Sequence, residues 1–256
     1  MTPQNNANEG PAFTPQNIVT EDDFVVFLYN AFPLFTDDDV SRVLLYYPST
    51  NASVDMSTLD FATSGNSTPT ALNESTFATG QQQRADNVYA EATFVCPSYW
   101  LAEAFTNNDR ISYKYQYSLI GAQHGSDVSS YFGPPTPNQG PDFNKAFMTI
   151  WGNFITQNNP SISASVANGA SSNSTMGMAA TNFPAWSLAA PLQLNLNQTG
   201  GTAFSSMSLG GTAPNITEFE EPGLVNDFEI VDAYTWEGGR GMRCDFWRSV
   251  GSIVPE

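Results

Sequence analysis

The chain has 256 residues, enough to bury a sizeable core as one large domain or two small ones. Acidic residues outnumber basic ones 25 to 8, so the formal net charge is −17, and no basic run occurs. This charge argues against nucleic acid and anionic membrane surfaces as partners, because binding to phosphates requires clustered lysine and arginine. No apolar run approaches the ~20 residues that span a bilayer.

The polar composition favours a secreted, glycosylated protein. Only 13% of the residues are charged, so the polar surface must be built from Asn, Gln, Ser and Thr. The N-terminus lacks the hydrophobic region of a signal peptide, and a secreted protein would then have an N-terminal portion outside this chain. Asn-X-Ser/Thr sequons, the acceptors of N-linked glycans, occur at Asn51, Asn66, Asn73, Asn173, Asn197 and Asn215.

Two short helices are predicted near the N-terminus. The stretches Thr20–Asp23 and Thr36–Asp39 each place a capping threonine three residues before an acid, which is typical of a helix start. Each is followed by an apolar face and ends near a proline, Pro33 or Pro48. The pattern predicts a pair of helices joined by a tight turn, and it favours capping over metal binding for the acids.

Helices and strands then alternate along the chain. The polar residues 49–83 predict a long surface loop, and a helix pattern begins at Arg84, where Pro97 either kinks this helix or lies in the first turn of a second one. A helix is predicted from about Asp142 to Thr156, a loop over 160–183, a strand over 191–197 and a short terminal helix over 242–250, with loop between the last two. Strict alternation predicts the clearest strand, over residues 111–119, with one face formed by Ile111, Tyr113, Tyr115, Tyr117 and Leu119.

Two titratable residues stand out as candidates for chemistry. His124 is the only histidine, and it follows the clearest strand, where catalytic groups of α/β folds collect. Taken alone, a single histidine is more often a surface residue, and Glu9 is an ordinary loop acid. Together they favour a catalytic role, because an imidazole base needs a carboxylate to fix its tautomer. Their order in the chain also agrees with that of α/β-hydrolases, in which the acid precedes the histidine.

The surroundings of both residues resemble motifs of the type-B carboxylesterase/lipase family, which includes cholinesterases and fungal lipases. The acid lies in Asn-Glu9-Gly, with an aromatic residue following at Phe13, and the histidine in His124-Gly-Ser-Asp-Val-Ser-Ser-Tyr-Phe-Gly133. The ending Arg-Cys-Asp-Phe-Trp247 is also similar, so the resemblance runs in register from Asn5 to Trp247. It implies an α/β fold containing the last strands of a mostly parallel sheet with flanking helices, residues 1–256 being the C-terminal portion of a single domain.

The resemblance also implies an activity and a role for each residue. It points to a serine esterase or lipase acting on a small-molecule or lipid ester, with no metal or organic cofactor. His124 would be the general base and Glu9 the acid that orients it, while Asp127 would be either a partner near the histidine or a helix cap. Cys96 and Cys244 match positions that form a disulfide in the family; two buried free thiols are the alternative.

One departure from the family is serious. Neither a Gly-X-Ser-X-Gly nucleophile motif nor a Gly-Gly-Gly oxyanion tract occurs in the 256 residues. Without a nucleophile and oxyanion donors, His124 and Glu9 have nothing to activate, so we expect this chain by itself to be inactive. Two further hypotheses stay open: a non-catalytic binding or adhesion module of the same fold, and a truncated gene product without independent function.

Overall fold

The computed structural model describes residues 3–49, 75, 77–106, 109–169, 176–207 and 216–255. Its strands are β1 (Gln4–Asn6), β2 (Tyr115–Tyr117), β3 (Leu192–Ser206) and β4 (Ile216–Asp232). The α-helices of this part of the chain are α1 (Glu21–Ala31), α2 (Asp37–Tyr46), α3 (Gly80–Ala90), α4 (Cys96–Ala104), α5 (Val128–Phe132), α6 (Pro141–Gln157), α7 (Ala164–Asn168) and α8 (Trp236–Val250). Across these ranges, no helix combines the length and apolar character needed to cross a membrane.

The strands form one mixed sheet in the order β1-β2-β3-β4. β1, β2 and β3 run parallel, and β4 pairs antiparallel with β3. Helices cover both faces: Tyr115 of β2 packs on Phe147 of α6, while the neighbouring Gln116 accepts a hydrogen bond from Arg240 of α8. A mixed sheet flanked by helices agrees with the expected α/β class.

The strand predicted over residues 111–119 is shorter than its alternation suggested. Only Tyr115–Tyr117 pairs continuously, Tyr113 makes an isolated bridge with Ala185, and Ile111 is 46% exposed. The tyrosines of the pattern are buried, but so are the polar residues between them, because the strand lies inside a sheet that is covered on both faces. These buried polar residues are Ser112, Lys114, Gln116 and Ser118.

The predicted N-terminal helix pair is confirmed. Thr20 and Thr36 each cap their helix through a reciprocal capping box with the acid three residues later, Asp23 or Asp39. Burial of Phe24, together with neighbouring apolar residues, seats α1 in the core. Asp23 and Asp39 therefore serve as caps, the interpretation that the sequence favoured.

Around Pro97 the chain forms two helices joined without a loop. α3 begins at Gly80, before the predicted start, and leads through a π-helical turn, Glu91–Val95, directly into α4. Pro97 lies in the first turn of α4, directly after the π-helical turn, so the sequence alternative of a second helix starting near Pro97 is confirmed. Most of the predicted loop over 49–83 lies outside the described residues.

The predicted loop between residues 198 and 241 is wrong. β3 continues to Ser206, and β4 returns antiparallel beside it for 17 residues. The outer parts of both strands are largely exposed, so no alternation of apolar residues marks them, and Pro222 and Gly223 interrupt the β4 sequence. Helix α7 and the 3-10 turn Met176–Asn182 likewise lie within the loop predicted over 160–183.

Helix α8 is attached to the body by a disulfide and a buried ion cluster. The predicted disulfide between Cys96 and Cys244 is present, with the Cα atoms 5.0 Å apart. Glu91 accepts hydrogen bonds from Arg243 Nε and Nη2, each at 2.7 Å, from Arg240 Nε at 3.2 Å and from the Tyr47 hydroxyl at 2.6 Å. These contacts link the π-helical turn to α8 inside the molecule.

Candidate active site

The two candidate residues meet at the carboxyl ends of neighbouring parallel strands. Glu9 follows β1 and His124 follows β2, and a parallel bridge between Asn8 and Gln123 extends the pairing to the residues just before them. The His124 Nδ1 and Glu9 Oε2 atoms are 2.7 Å apart, within hydrogen-bonding distance. The approach expected from the two motifs is therefore observed.

The imidazole packs against two phenylalanine rings and is partly exposed to solvent. Its ring lies 4.6 Å from the Phe94 ring and 5.2 Å from the Phe13 ring, centroid to centroid, and its side chain is 47% exposed. Nε2 makes no hydrogen bond with the described part of the chain. With Nδ1 engaged by Glu9, Nε2 is the nitrogen that can exchange a proton with a bound group.

Local geometry explains why glycine follows each of the two candidate residues, at Gly10 and Gly125. A side chain at Gly10 would collide with the Asp86 carbonyl, since an ideal Cβ would lie 2.0 Å from that oxygen. Gly125 has φ +80°, the left-handed region in which other L-residues are strained. The first glycine lets the loop after Glu9 pack against α3, and the second turns the chain immediately after His124.

Glu9 is buried, and its hydrogen bonds compensate only part of the cost of removing its carboxylate from water. Its Oε1 accepts the backbone N–H of Asn6 at 2.6 Å and the Asn6 side-chain amide at 3.2 Å. Burial raises the pKa of Glu9 above its ordinary value, and this outweighs the lowering by the hydrogen bonds from Asn6 and His124 and by the charge of His124. The carboxylate is thus held in place at a cost in solvation.

Asp127 is a partner of this site rather than a helix cap. It precedes α5, but its side chain makes no capping hydrogen bond. Its Oδ1 instead accepts from the Asn6 amide at 3.3 Å, and its Oδ2 accepts from the Tyr131 hydroxyl at 2.6 Å. Of the two alternatives that the sequence left open, the structure supports the contact near the histidine.

A cleft of about 430 Å³ opens beside the pair. Its lining combines the polar groups of Glu9 and His124 with the apolar side chains of Phe94, Leu101 and Val128. No group of three or more His, Cys, Asp or Glu side chains in the described ranges is arranged to hold a metal ion. The arrangement can move a proton, and no serine among the described residues makes a hydrogen bond with the imidazole.

Sequence reasoning gave no role to Asn6 and Phe94, which contact the pair, or to the buried Lys114. An asparagine three residues before the acid was a usable signal for Asn6, because an amide can donate to a carboxylate. The partners of the other two come from distant parts of the chain. Lys114 is fully buried and donates to Asn5 Oδ1 at 2.7 Å.

The chain is similar to known fungal proteins in sequence and structure. No family model matches it. It is 26% identical over 166 residues to Secreted lipase 4 of Gibberella zeae. The matched region covers 60% of this chain and 26% of that protein. Its structure is similar to the crystal structure of Aspergillus niger EstA, with a TM-score of 0.58 and 14% sequence identity, covering 99% of this chain and 40% of that chain.

The structural similarity and the sequence similarity support different statements about this chain. The structural similarity to EstA confirms the α/β fold class, and at 14% identity it shows the fold alone. The sequence similarity supports a coarse resemblance to lipases at low identity. The chain spans 26% of the lipase and 40% of EstA, well under two thirds of either.

Proposed function

We propose that this chain supplies the acid and the histidine of a serine-type carboxylic ester hydrolase of the type-B carboxylesterase/lipase family. The observation that carries the proposal is the 2.7 Å contact between Glu9 and His124 at adjacent strand ends, where both residues line a cleft. The same two residues occupy the acid and histidine motifs that resemble the family. In this proposal, residues 1–256 form the C-terminal portion of one hydrolase domain.

Each residue has one task in the proposed reaction. A serine from outside these 256 residues attacks the ester carbonyl, and His124 Nε2 accepts the serine proton as the new carbon–oxygen bond forms. The protonated imidazole then gives this proton to the leaving alcohol, which yields an acyl-enzyme. Water attacks the acyl-enzyme with the same proton relay, releasing the acid and restoring the serine. Glu9 fixes the Nδ1–H tautomer and stabilises the imidazolium.

The substrate class and the location follow from the same observations. A small-molecule or lipid ester suits a cleft in which apolar walls stand beside the imidazole. The disulfide and the name of the similar secreted lipase support an extracellular protein. Glycosylation is proposed for sequons other than Asn197, because Asn197 lies in β3 and is 7% exposed. The other five sequons lie outside the described residues.

Hydrolysis of an activated ester tests the proposal. The chain alone is expected to match its His124→Ala variant, since neither contains the nucleophile. Fusion to the part of the Gibberella lipase that lies outside the matched 26% is expected to create turnover that exceeds that of this part alone. His124→Ala should remove most of this gain and Glu9→Gln a smaller, substantial part.

Three outcomes would count against the proposal. Serine-dependent turnover by the unfused chain would mean that the nucleophile lies within the 256 residues. A folded fusion whose turnover is unaffected by His124→Ala would remove the histidine from the reaction, and a folded fusion without any gain would favour a non-catalytic binding module.

A further inference from the structure

We infer that Asn6 is a positioning residue, which aims the Glu9 carboxylate at His124 by bridging it to Asp127. The inference rests on the proposed function, because it assigns a supporting part to the same acid and histidine. It concerns a residue that makes no hydrogen bond with the imidazole and acts on it through Glu9.

Asn6 controls one oxygen of Glu9 and leaves the other for the histidine. Its backbone N–H and its side-chain Nδ2 both donate to Oε1, at 2.6 Å and 3.2 Å, while Oε2 lies 2.7 Å from His124 Nδ1. Two donors from one residue resist rotation of the carboxylate about its terminal bond. Because Glu9 is 4% exposed, water cannot readily replace a lost donor.

The same amide also reaches a second buried carboxylate. Asn6 Nδ2 lies 3.3 Å from Asp127 Oδ1, and both residues are 2% exposed. Two carboxylates in direct contact would repel or share a proton, whereas one amide offers a hydrogen to each and carries no charge. Asn6 Oδ1 has no hydrogen-bond partner in the described residues, so the carboxylates alone set the orientation of the amide.

The far end of the bridge is fixed to the body of the protein. Asp127 Oδ2 accepts a hydrogen bond from the Tyr131 hydroxyl at 2.6 Å. The Tyr131 hydroxyl in turn lies 2.8 Å from the Tyr115 hydroxyl. Tyr115 in turn accepts from Trp151 Nε1 at 3.2 Å. The chain of hydrogen bonds therefore runs from Glu9 through α5 and β2 to α6, which gives Asn6 a rigid support.

The single histidine makes a direct test possible. In protein labelled with nitrogen-15 in histidine, every imidazole signal comes from His124, and the ring shifts report the ratio of the Nδ1–H to the Nε2–H tautomer. Glu9→Gln provides the reference for a lost pairing. We expect Asn6→Ala to lower the ratio by about tenfold, the effect of one charge-assisted hydrogen bond. Tyr131→Phe should lower it less, in the same direction.

A matched control separates positioning from general loss of structure. Asn195 is similarly buried, at 3% exposure, and lies in β3, two strands away from β1. Asn195→Ala is expected to lower thermal stability and to leave the tautomer ratio within about twofold of wild type, because it removes no donor to Glu9. An equal change in both asparagine variants would overturn the inference.

The remaining outcomes distinguish this inference from the function on which it rests. If Glu9→Gln changes the ratio and Asn6→Ala does not, Asn6 is not a positioning residue, while the Glu9–His124 pair stands. If Glu9→Gln also has no effect, the pair itself fails, and the proposed function with it. Should Asn6→Ala not fold, Tyr131→Phe decides: a lower ratio supports the bridge, and a wild-type ratio overturns it.

Discussion

Two buried glutamates show how similar contacts serve different purposes in this fold. Glu9 and Glu91 are 4% and 1% exposed, and each lies 2.7 Å from a nitrogen of a basic side chain. Glu91 is surrounded by the hydrogen bonds of Arg240, Arg243 and Tyr47. The basic partner of Glu9 in this contact is a half-exposed imidazole, which can be neutral.

The pKa values of the two carboxyl groups move in opposite directions. Burial alone would raise the pKa of Glu91, but the attraction and hydrogen bonds of Arg243 and the attraction of Arg240 outweigh it, so the pKa is lowered. For Glu9 burial wins and the pKa is raised. The fully paired carboxylate of Glu91 holds the structure together, whereas the incompletely paired carboxylate of Glu9 carries an uncompensated cost of desolvation.

The largest expected effect comes from breaking the Glu91 cluster. Glu91→Gln removes the carboxylate to which two buried arginines donate, and we expect a loss of about 3–5 kcal/mol in the free energy of unfolding. Denaturant titration of the disulfide-intact protein measures it. The matched control is Glu103→Gln, which removes the partly exposed ion pair with Arg248 and should cost less than about 1 kcal/mol. Equal losses in the two variants would contradict a special role for the cluster.

A smaller effect is expected from Glu237, a neighbour of the same cluster. Burial raises its pKa from 4.5 to about 7, more than the arginines lower it. A carboxyl group whose pKa is higher in the folded state stabilises the fold below pH 4.5, and this stability is lost as the pH rises through about 7. The free energy of unfolding of wild type, minus that of Glu237→Gln, should therefore fall by about 3 kcal/mol between pH 4.5 and 8. A difference that does not change with pH would rule this out.

The smallest change in the free energy of unfolding is expected for Glu9→Gln, and at pH 8 it does not have the destabilising sign expected for Glu91→Gln. Because the pKa of Glu9 is raised by burial, its ionised form costs stability above pH 4.5, and this cost disappears as the pH falls below that value. Glu9→Gln should be at least as stable as wild type at pH 8, with the difference shrinking toward pH 4. Parallel denaturant titrations at both pH values test this. A loss at pH 8 similar to that of Glu91→Gln would show that Glu9 is chiefly structural.

The sequence predicted the features that depend on neighbouring residues. Capping boxes placed α1 and α2, and the motifs around Glu9 and His124 predicted that the two side chains meet, although no strand was predicted before Glu9. Contacts between distant residues were missed, because Glu91 and Arg243 are 152 positions apart and nothing local marks their meeting. β4 was missed because its exposed outer half has no apolar alternation. Burial of Lys114 was not predicted, because an alternating strand does not reveal that both of its faces are covered.

The central claim is that His124 acts on a serine outside this chain. The most direct measurement is a double-mutant cycle on kcat in the active fusion, with His124→Ala, serine→Ala in the added segment, and both together. Groups that act as one unit lose their effect together, so the double variant should be no slower than the slower single variant, within about threefold. Losses that multiply in the double variant would show that His124 and the serine act independently, which would contradict the account.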